Sequence, residues 1–359
     1  MLQPPEIVRY LLEFGHLEAR TVVDGGLVIE PVPRRNVNYR LTTRDGPQYF
    51  IKQATTPETA ATLAREAVMY RLLAESAAPV LRRYLPHLHA YDARRGLLVI
   101  ELFVDAQDLR REFADGSFPL NVVAAAGTAL AELHRTTARE EVLALAPALA
   151  PPWAASLHRP AIDWLRDLSG ADLELIALIQ RSSEFCELLD AEGGDWQRTC
   201  VVHGDYRWDN CLATIGRGVR LVDWEAAGGG DPAWDVGSAF TDFLGDWLGS
   251  IPLGGSPATH LSTLARRPLT RMRPALQAFW SAYLLAVGLS RPDGNQLLLR
   301  ATRYGGLRLL QSAFEHGQYA GELTPSTATL AQLALNVLRR PHEAAVHLLG
   351  IPFASPVGA

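Results

Sequence analysis

The first hundred residues combine short helical patterns with alternating hydrophobic and polar positions. Residues 4–14 (PPEIVRYLLEF) predict a short helix, since prolines stand at its start and a glycine follows its end. Residues 21–53 alternate and contain turn residues, which predicts a strand meander with a hairpin at Asp45-Gly46. Apolar periodicity predicts a helix over 56–74, and a last strand is expected over 96–103. This part of the chain therefore predicts a small antiparallel sheet with one packed helix.

The rest of the chain is mostly helical in its periodicity. Apolar residues recur at helical spacing over 121–137, 161–190, 232–248, 272–289, 295–316 and 326–348. Residues 199–224 are different, because their short apolar runs on either side of glycines predict paired strands. We therefore expect an α+β, bilobal fold, with a small antiparallel β-rich N-lobe at 1–103 and a larger, mostly α-helical C-lobe at 104–359.

Charge is distributed unevenly along the chain. Residues 1–103 carry 13 basic and 11 acidic side chains, residues 104–240 carry 11 and 22, and residues 241–359 carry 10 and 6. No segment has the concentrated basic residues of nucleic-acid-binding proteins, so no nucleic-acid partner is expected. No apolar stretch is long enough to span a bilayer, and the N-terminus lacks the apolar core of a signal peptide. A cytoplasmic protein without a membrane partner is predicted.

Two residue counts add to this picture. The three cysteines are odd in number and lack CxxC spacing, which favours free thiols over a disulfide framework or a zinc site. Of the 34 basic side chains, 33 are arginines and only Lys52 is a lysine. A GC-rich genome accounts for the arginines but not for the retained lysine. Lys52 therefore indicates a site that needs a compact ammonium group rather than a planar guanidinium.

The most informative segment is HGDYRWDN at 203–210, followed by DWE at 223–225. Phosphoryl transfer needs positioning and charge neutralisation more than covalent chemistry from the protein. Asp205 follows a predicted buried strand and can accept the proton of a hydroxyl group. Asn210 and Asp223 offer hard oxygen ligands that suit Mg²⁺. The hairpin between them is expected to bring both ligands to one end of the strand pair, beside Asp205.

Three ordered elements carry a resemblance to a known family. HGDxxxxN at 203–210, DWE at 223–225 and GDPAWD at 230–235 resemble the aminoglycoside phosphotransferase and choline kinase superfamily in order and spacing. The resemblance implies a protein-kinase-like fold. It also implies an ATP- and Mg²⁺-dependent enzyme that transfers the γ-phosphate to a hydroxyl acceptor. The acceptor would be a small molecule or, in the alternative below, a precursor peptide; the oligomeric state stays open.

The resemblance also implies roles for single residues. Asp205 would be the catalytic base, and Asn210 and Asp223 would bind the metal. His203 and Asp235 would hold the catalytic loop in shape. A lone histidine in this position would more simply be a core residue, so the role of His203 depends on the motif around it.

The N-lobe supplies candidates for nucleotide binding by the same resemblance. Lys52 ends the strand QYFIK, where kinases keep the lysine that holds the α- and β-phosphates. Glu66, in the following helix, resembles its ion-pair partner, and apolar neighbours such as Val68 favour an inward face over a solvated one. The strand LLVIELF resembles the linker between kinase lobes. The backbone carbonyl of Glu101 and the backbone amide of Phe103 would then face the adenine.

The chain departs from protein kinases at the turn over the phosphates. No GxGxxG motif is present, and the equivalent turn is PRRNVNYR at 33–40. Asn38, in this turn, is a candidate for nucleotide binding. Arg34 and Arg35 either contact the phosphates or the acceptor, or are ordinary surface arginines. The sequence does not decide between these two interpretations.

The charge of the C-terminal residues bears on the class of acceptor. Kinases that act on polycationic aminoglycosides tend to line the acceptor site with carboxylates, whereas residues 241–359 are net positive. A hydroxyl on a less cationic molecule is therefore predicted. The alternative is that the arginines in 266–308 pair with acids of the middle third, or point to solvent. In either case they would not make the acceptor site positive.

Two further alternatives concern function. The RRNxNYR turn and the C-lobe are similar to kinases of bacterial ribosomal-peptide clusters, including class V lanthipeptide and thioamitide pathways, which implies phosphorylation of a precursor-peptide Ser or Thr. A nucleotide-binding pseudokinase is the non-enzyme alternative. It is disfavoured because Lys52, Asp205, Asn210 and Asp223 are all present.

Overall fold

The structure, a computed structural model, describes residues 2–33, 37–76, 79–216, 218–252 and 265–354. The N-terminal part contains a five-stranded sheet with the order β1-β2-β3-β5-β4, in which all neighbours are antiparallel. Its strands are β1 Val28–Pro33, β2 Val37–Thr42, β3 Tyr49–Gln53, β4 Leu88–Asp92 and β5 Leu97–Glu101. Its helices are α1 Pro4–Glu13, α2 Ala19–Val23, α3 Pro57–Ser76 and α4 Pro79–Arg82.

The two faces of this sheet carry different residues, because side chains alternate along each strand. Helix α1 covers one face, where its Ile7 and Leu11 share a buried cluster with Tyr39 and Ile51 of the strands. Lys52, the neighbour of Ile51 in β3, therefore points to the opposite face, towards α3. Asn38 is the partner of Lys52 in the register of β2 and β3, so both belong to the same face.

The C-terminal part is mainly helical and contains two small sheets. Strand β7 Cys200–Val202 pairs with β10 Gly228–Gly230, and β8 Cys211–Ala213 pairs with both β9 Val219–Leu221 and β6 Gln107–Asp108. The helices are α5 Leu109–Glu112, α6 Leu120–Thr137, α7 Glu140–Leu145, α8 Ile162–Leu165, α9 Gly170–Gln180, α10 Ser183–Gly194, α11 Pro232–Gly249, α12 Leu269–Val287, α13 Arg291–Gly317, α14 Pro325–Arg339 and α15 Pro341–Glu343. Helix α6 packs on α12, and α13 packs between α11 and α14. Among the described residues, no helix is long and apolar enough to cross a membrane.

The α+β, bilobal, kinase-like fold is confirmed, with corrections in single elements. The helical segment expected over 161–190 is divided into three helices, because Ser169 and Ser182 each cap a new one. The Ser169 hydroxyl accepts from the Asp172 amide at 3.0 Å, and the Ser182 hydroxyl accepts from the Phe185 amide at 3.2 Å. The start of the predicted strand meander is wrong as well, since residues 19–23 form α2. The three cysteines are free thiols, as predicted.

Candidate active site

The β8–β9 hairpin brings Asn210 and Asp223 together. Cys211 pairs with Leu221, so the residue before β8 and the residues after β9 lie at the same end of the hairpin. The Val222 amide donates to the Asn210 carbonyl at 3.0 Å, which fixes this end. The two residues that the sequence proposes as metal ligands therefore lie on adjacent chain segments.

Asp223 has a strained backbone. Its φ of 69° makes it the one non-glycine residue with positive φ in the described part of the chain. Such a conformation costs an aspartate about 1–3 kcal/mol, and it persists only where the surroundings impose it. The next residue, Trp224, is fully buried, and its indole donates to the Leu221 carbonyl at 3.1 Å. The buried tryptophan thus holds the turn that presents the Asp223 carboxylate.

Asp235 of α11 organises the loop that carries Asp205. Its carboxylate accepts from the backbone amides of His203 at 2.6 Å and Gly204 at 3.0 Å. The His203 ring is buried, and its Nε2 donates to the Val222 carbonyl at 2.9 Å, which links this loop to the end of β9. The structure therefore brings His203 and Asp235 together beneath the loop.

A buried histidine from α6 extends this support. His134 Nε2 donates to the Asp235 carboxylate at 3.1 Å, and the Tyr283 hydroxyl lies 2.8 Å from His134 Nδ1. In the neutral imidazole that carries its proton on Nε2, Nδ1 accepts from the tyrosine. No sequence motif marks His134, because it lies in an ordinary apolar helix more than 60 residues before the HGD motif.

Both oxygens of Asp205 have partners. Asn210 Nδ2 donates to Oδ2 at 3.1 Å, and Arg308 Nη2 donates to Oδ1 at 3.2 Å. The carboxylate is held in this way while its side chain stays about one-third exposed, at 32%. Because Nδ2 of Asn210 faces the carboxylate, Oδ1 is the amide atom that remains for a metal.

Arg308 is a second residue of the candidate site, besides His134, that no sequence motif indicates. It lies in α13, its side chain is buried, and its second terminal nitrogen donates to Glu315 Oε1 at 3.0 Å. Burial raises the pKa of Glu315, but Arg308 outweighs it, with help from Gln311 and Arg207, so this pKa lies below its usual value. Glu315 therefore keeps the charge that holds Arg308 against Asp205.

Lys52 connects the N-terminal sheet to the C-terminal hairpin. Its Nζ lies 2.8 Å from both carboxylate oxygens of Glu66 and 2.5 Å from Asp223 Oδ1. Burial lowers the pKa of the Lys52 ammonium, but the two carboxylates outweigh burial and raise it. Burial raises the pKa of Glu66 to about 7, against the effect of Lys52. The Lys52 ammonium is therefore held between two carboxylates, one from α3 and one from the end of the β8–β9 hairpin.

Glu66 faces inward as predicted, but Val68 does not share its face of α3. Glu66 is fully buried, but Val68, which was expected on the same inward face, is 45% exposed. Two residues along a helix are separated by about 200° of rotation, so they face opposite sides. Tyr70, four residues after Glu66, is the buried neighbour on that face.

The remaining nucleotide-binding candidates lie in, or just after, the strands of the same sheet. Asn38 is buried, and its Oδ1 has no hydrogen-bond partner among the described residues. Glu101 is the last residue of β5, and its side chain accepts from the His87 amide at 3.1 Å. Phe103 follows two residues later, and its ring lies 5.2 Å from the Arg220 guanidinium carbon. Arg34 and Arg35 lie outside the described residues.

Three of the four arginines of α13 pair with acids of the middle third. Arg300 binds Asp231 at 2.8 Å, and Arg308 binds Asp205 at 3.2 Å. Arg303 lies 3.6 Å from the buried Glu192 in the same way. For these arginines the pairing alternative therefore holds, and the positive charge of residues 241–359 does not form an unpaired wall there.

Solved structures of small-molecule kinases share this fold. Choline kinase from Cryptosporidium parvum Iowa II gives a TM-score of 0.60 at 10% identity, covering 97% of this chain and 99% of that chain. Plasmodium vivax ethanolamine kinase gives 0.53 at 14% identity, covering 92% and 88%. Macrolide 2'-phosphotransferase from Brachybacterium faecium gives 0.50 at 20% identity, covering 91% and 98%. At such identities the likeness establishes the class of fold, a bilobal kinase-like one.

The sequence itself establishes the family. The model of the phosphotransferase enzyme family (APH) matches residues 28–275, which is 248 of the 359 residues. The chain belongs to this family, and the protein is an O-phosphotransferase, as the motifs predicted. Comparison with curated protein sequences gives no match.

Proposed function

We propose that this protein transfers the γ-phosphate of ATP, with Mg²⁺, to a hydroxyl acceptor. The observation that carries the proposal is the position of the Lys52 ammonium, 2.8 Å from Glu66 and 2.5 Å from Asp223. This contact joins the N-terminal sheet and helix to the hairpin that also holds Asn210, and Asn210 contacts Asp205. These contacts support a single site in which Lys52 would bind phosphates, Asn210 and Asp223 would bind a metal, and Asp205 would accept the proton of a hydroxyl group.

The donor atoms fit magnesium. The amide oxygen of Asn210 and the carboxylate of Asp223 are hard ligands, and Mg²⁺ in phosphotransferases is commonly held by one or two such side chains together with substrate phosphates and water. The described residues contain no group of three or more His, Cys, Asp or Glu side chains arranged for a metal, which is compatible with such a two-ligand site. When bound, Mg²⁺ would neutralise phosphate charge.

The nucleotide is assigned to the face of the sheet that carries Lys52. Lys52, held by Glu66, would bind the phosphates, and the buried Oδ1 of Asn38, which has no partner among the described residues, would accept a hydrogen bond from the nucleotide. The Glu101 carbonyl and the Phe103 amide would bind the adenine edge. In this proposal residues 1–103 form the nucleotide-binding lobe, and residues 104–359 form the lobe for catalysis and acceptor binding.

In the proposed reaction the protein supplies a general base and the residues that position it. Asp205 would accept the proton of the acceptor hydroxyl through its carboxylate, which Asn210 and Arg308 hold by one oxygen each. Asp235 would fix the loop through the His203 and Gly204 amides. Positioning of this kind is the main source of catalysis in phosphoryl transfer.

A titration calorimetry experiment tests the nucleotide and metal part. Wild-type protein should bind ATP more tightly with Mg²⁺ than with EDTA. Asp223→Asn should lose this magnesium effect, because it removes a charged ligand. Asp209→Asn, a change at an acid of the same motif that pairs with Arg110 at 2.8 Å, should retain it. Equal ATP affinity with and without Mg²⁺ in the wild type would contradict the proposal.

A further inference from the structure

A pocket of about 410 Å³ lies in the C-terminal part, between α11, α13 and α14. Small-molecule sites in proteins commonly have volumes of roughly 300–1,000 Å³. The charged residues of its wall are Arg110, Arg207, Arg267, Asp242, Asp246 and Glu315. Its size therefore suits a small molecule or a short segment of a larger one.

Two wall residues connect this pocket to the candidate base. Arg207 Nε lies 3.7 Å from Asp205 Oδ1, and Arg207 Nη2 lies 3.6 Å from Glu315 Oε2. The other oxygen of Glu315 accepts from Arg308, which itself binds Asp205. Asp205 is not part of the wall, but it contacts Arg207 of the wall and Arg308, which Glu315 of the wall binds. A hydroxyl group that reaches Asp205 can thus belong to a molecule that occupies the pocket.

The wall is balanced in charge. It contains three arginines and three carboxylates, and each arginine has an acid of the wall beside it. Arg267 binds Asp246 at 2.9 Å, and Arg110 lies 3.4 Å from Asp242. The looser pair of Arg207 and Glu315, with side chains 35% and 38% exposed, completes the set.

A balanced wall selects by charge. An acceptor with several ammonium groups would find an arginine beside every carboxylate of the wall. An acceptor with phosphate or carboxylate groups would find a carboxylate beside every arginine. Either would have to separate an existing ion pair. A neutral polar molecule leaves the pairs intact and can donate to Glu315 and accept from Arg207. Resting on the function proposed above, we propose that the acceptor is an uncharged, hydroxyl-bearing polar molecule that binds in this pocket.

A glycine in the wall offers a way to block the pocket. Gly245 lies inside α11, where glycine costs about 1 kcal/mol relative to alanine. A Cβ atom at this position would meet no described atom within 4 Å, so helix packing does not require glycine here. Gly194, the last residue of α10, is equally open but does not line the pocket. Gly245→Phe and Gly194→Phe therefore form a matched pair.

Saturation-transfer NMR with four probes tests the proposal. Two probes are neutral, myo-inositol as a sugar-like alcohol and N-acetylserinamide as a peptide-like alcohol; kanamycin is a polycation and glucose 6-phosphate an anion. At least one neutral probe should bind wild-type protein more tightly than both charged probes. Its affinity should fall by about tenfold or more in Gly245→Phe, a loss of about 1.4 kcal/mol, and stay unchanged in Gly194→Phe. Which neutral probe binds distinguishes a sugar-like from a peptide-like acceptor.

The outcomes separate this inference from the proposed function. Tighter binding of kanamycin or glucose 6-phosphate, binding of neutral probes that Gly245→Phe does not weaken, or no binding of either neutral probe would overturn the inference. Each of these results leaves Mg²⁺-dependent ATP binding, measured on the same preparations, intact. Loss of the magnesium effect in the wild type would instead contradict the proposed function.

Discussion

Lys52 is the residue at which the two parts of the molecule meet. It belongs to β3, pairs with Glu66 of α3, and reaches Asp223 at the end of the β8–β9 hairpin. Removing one member of a buried charge cluster typically costs about 3–5 kcal/mol, because the others are left uncompensated. The only lysine of the chain therefore occupies a position where both charge and size matter.

Lys52→Arg tests whether size matters as much as charge. The ammonium fits between two carboxylates at 2.5–2.8 Å, and the larger planar guanidinium would displace them and the phosphates they help to place. We expect phosphate transfer to fall by at least about tenfold, which is about 1.4 kcal/mol in the barrier. Nucleotide affinity should fall less. The exposed Arg71 of α3 offers the control Arg71→Lys, and wild-type turnover in Lys52→Arg would make the single lysine a compositional accident.

Some residues of the site could not be found from the sequence. The motifs predict which side chains follow β7 and flank the β8–β9 hairpin, because the candidate residues Asp205, Asn210 and Asp223 lie within 19 residues. Arg308 contacts Asp205 of the loop, 103 residues away, and His134 contacts Asp235, which holds the loop, 101 residues away. Neither helical periodicity nor residue type distinguishes them from ordinary helix residues. Only the packing of α6 and α13 against the loop reveals them.

At the scale of elements, the tight turn after β7 determines where Asp205 lies. Gly204 has a φ of +79°, and a Cβ at this position would lie 2.3 Å from the Ala226 carbonyl oxygen. The loop from β7 and the segment after β9 therefore approach each other as closely as a glycine allows. This approach lets one carboxylate, that of Asp235, and one carbonyl, that of Val222, fix the loop.

Gly204→Ala is expected to destabilise the protein and to impair transfer. Gly216→Ala is the matched control, since Gly216 also has positive φ, +86°, but a Cβ there would meet no described atom within 4 Å. In both variants an alanine must adopt a positive φ, which costs about 1–3 kcal/mol of stability. Only in Gly204→Ala does the new Cβ also clash with backbone atoms. Urea denaturation should therefore show a larger loss of unfolding free energy for Gly204→Ala. Equal losses would contradict the close approach.

The elements themselves were predictable where the pattern is long and regular. The helix predicted over 232–248 is α11 within one residue, because Asp231 caps it and Pro232 begins it. The helix boundaries within 161–190 were not predictable from the pattern, because apolar residues continue at helical spacing across the serine caps that begin new helices. Short elements such as α2 and β10 Gly228–Gly230 depend on contacts made elsewhere, and three glycines in a row predict a loop in isolation.

At the scale of the whole molecule, buried acids link stability to pH. Burial raises the pKa of Glu192 in α10 to about 7, although Arg303 of α13 lies 3.6 Å away and lowers it. In the unfolded chain this pKa is about 4.3. The folded state therefore prefers the protonated acid, and the contribution to stability is lost as the pH rises from about 4.3 towards 7.

Glu192→Gln should make stability less dependent on pH in this window. The melting temperature of the wild type is expected to decrease more between pH 5 and pH 8 than that of the variant, because glutamine cannot ionise. Glu187→Gln, at an exposed position of the same helix, should behave like the wild type. A wild type and a Glu192→Gln variant with parallel pH profiles would show that Glu192 does not titrate in this range.

The most direct test of the account is the role of Asp205 in phosphate transfer. Radiolabelled ATP, Mg²⁺ and a panel of aminoglycosides, choline-like alcohols, neutral alcohols and Ser/Thr peptides would identify the acceptor, and Asp205→Asn would then be compared with Asp209→Asn. We expect Asp205→Asn to lose roughly 10²–10⁴-fold in turnover while ATP affinity and melting temperature stay close to wild type. Asp209→Asn should keep its turnover. Near-wild-type turnover in Asp205→Asn would contradict its role as the base.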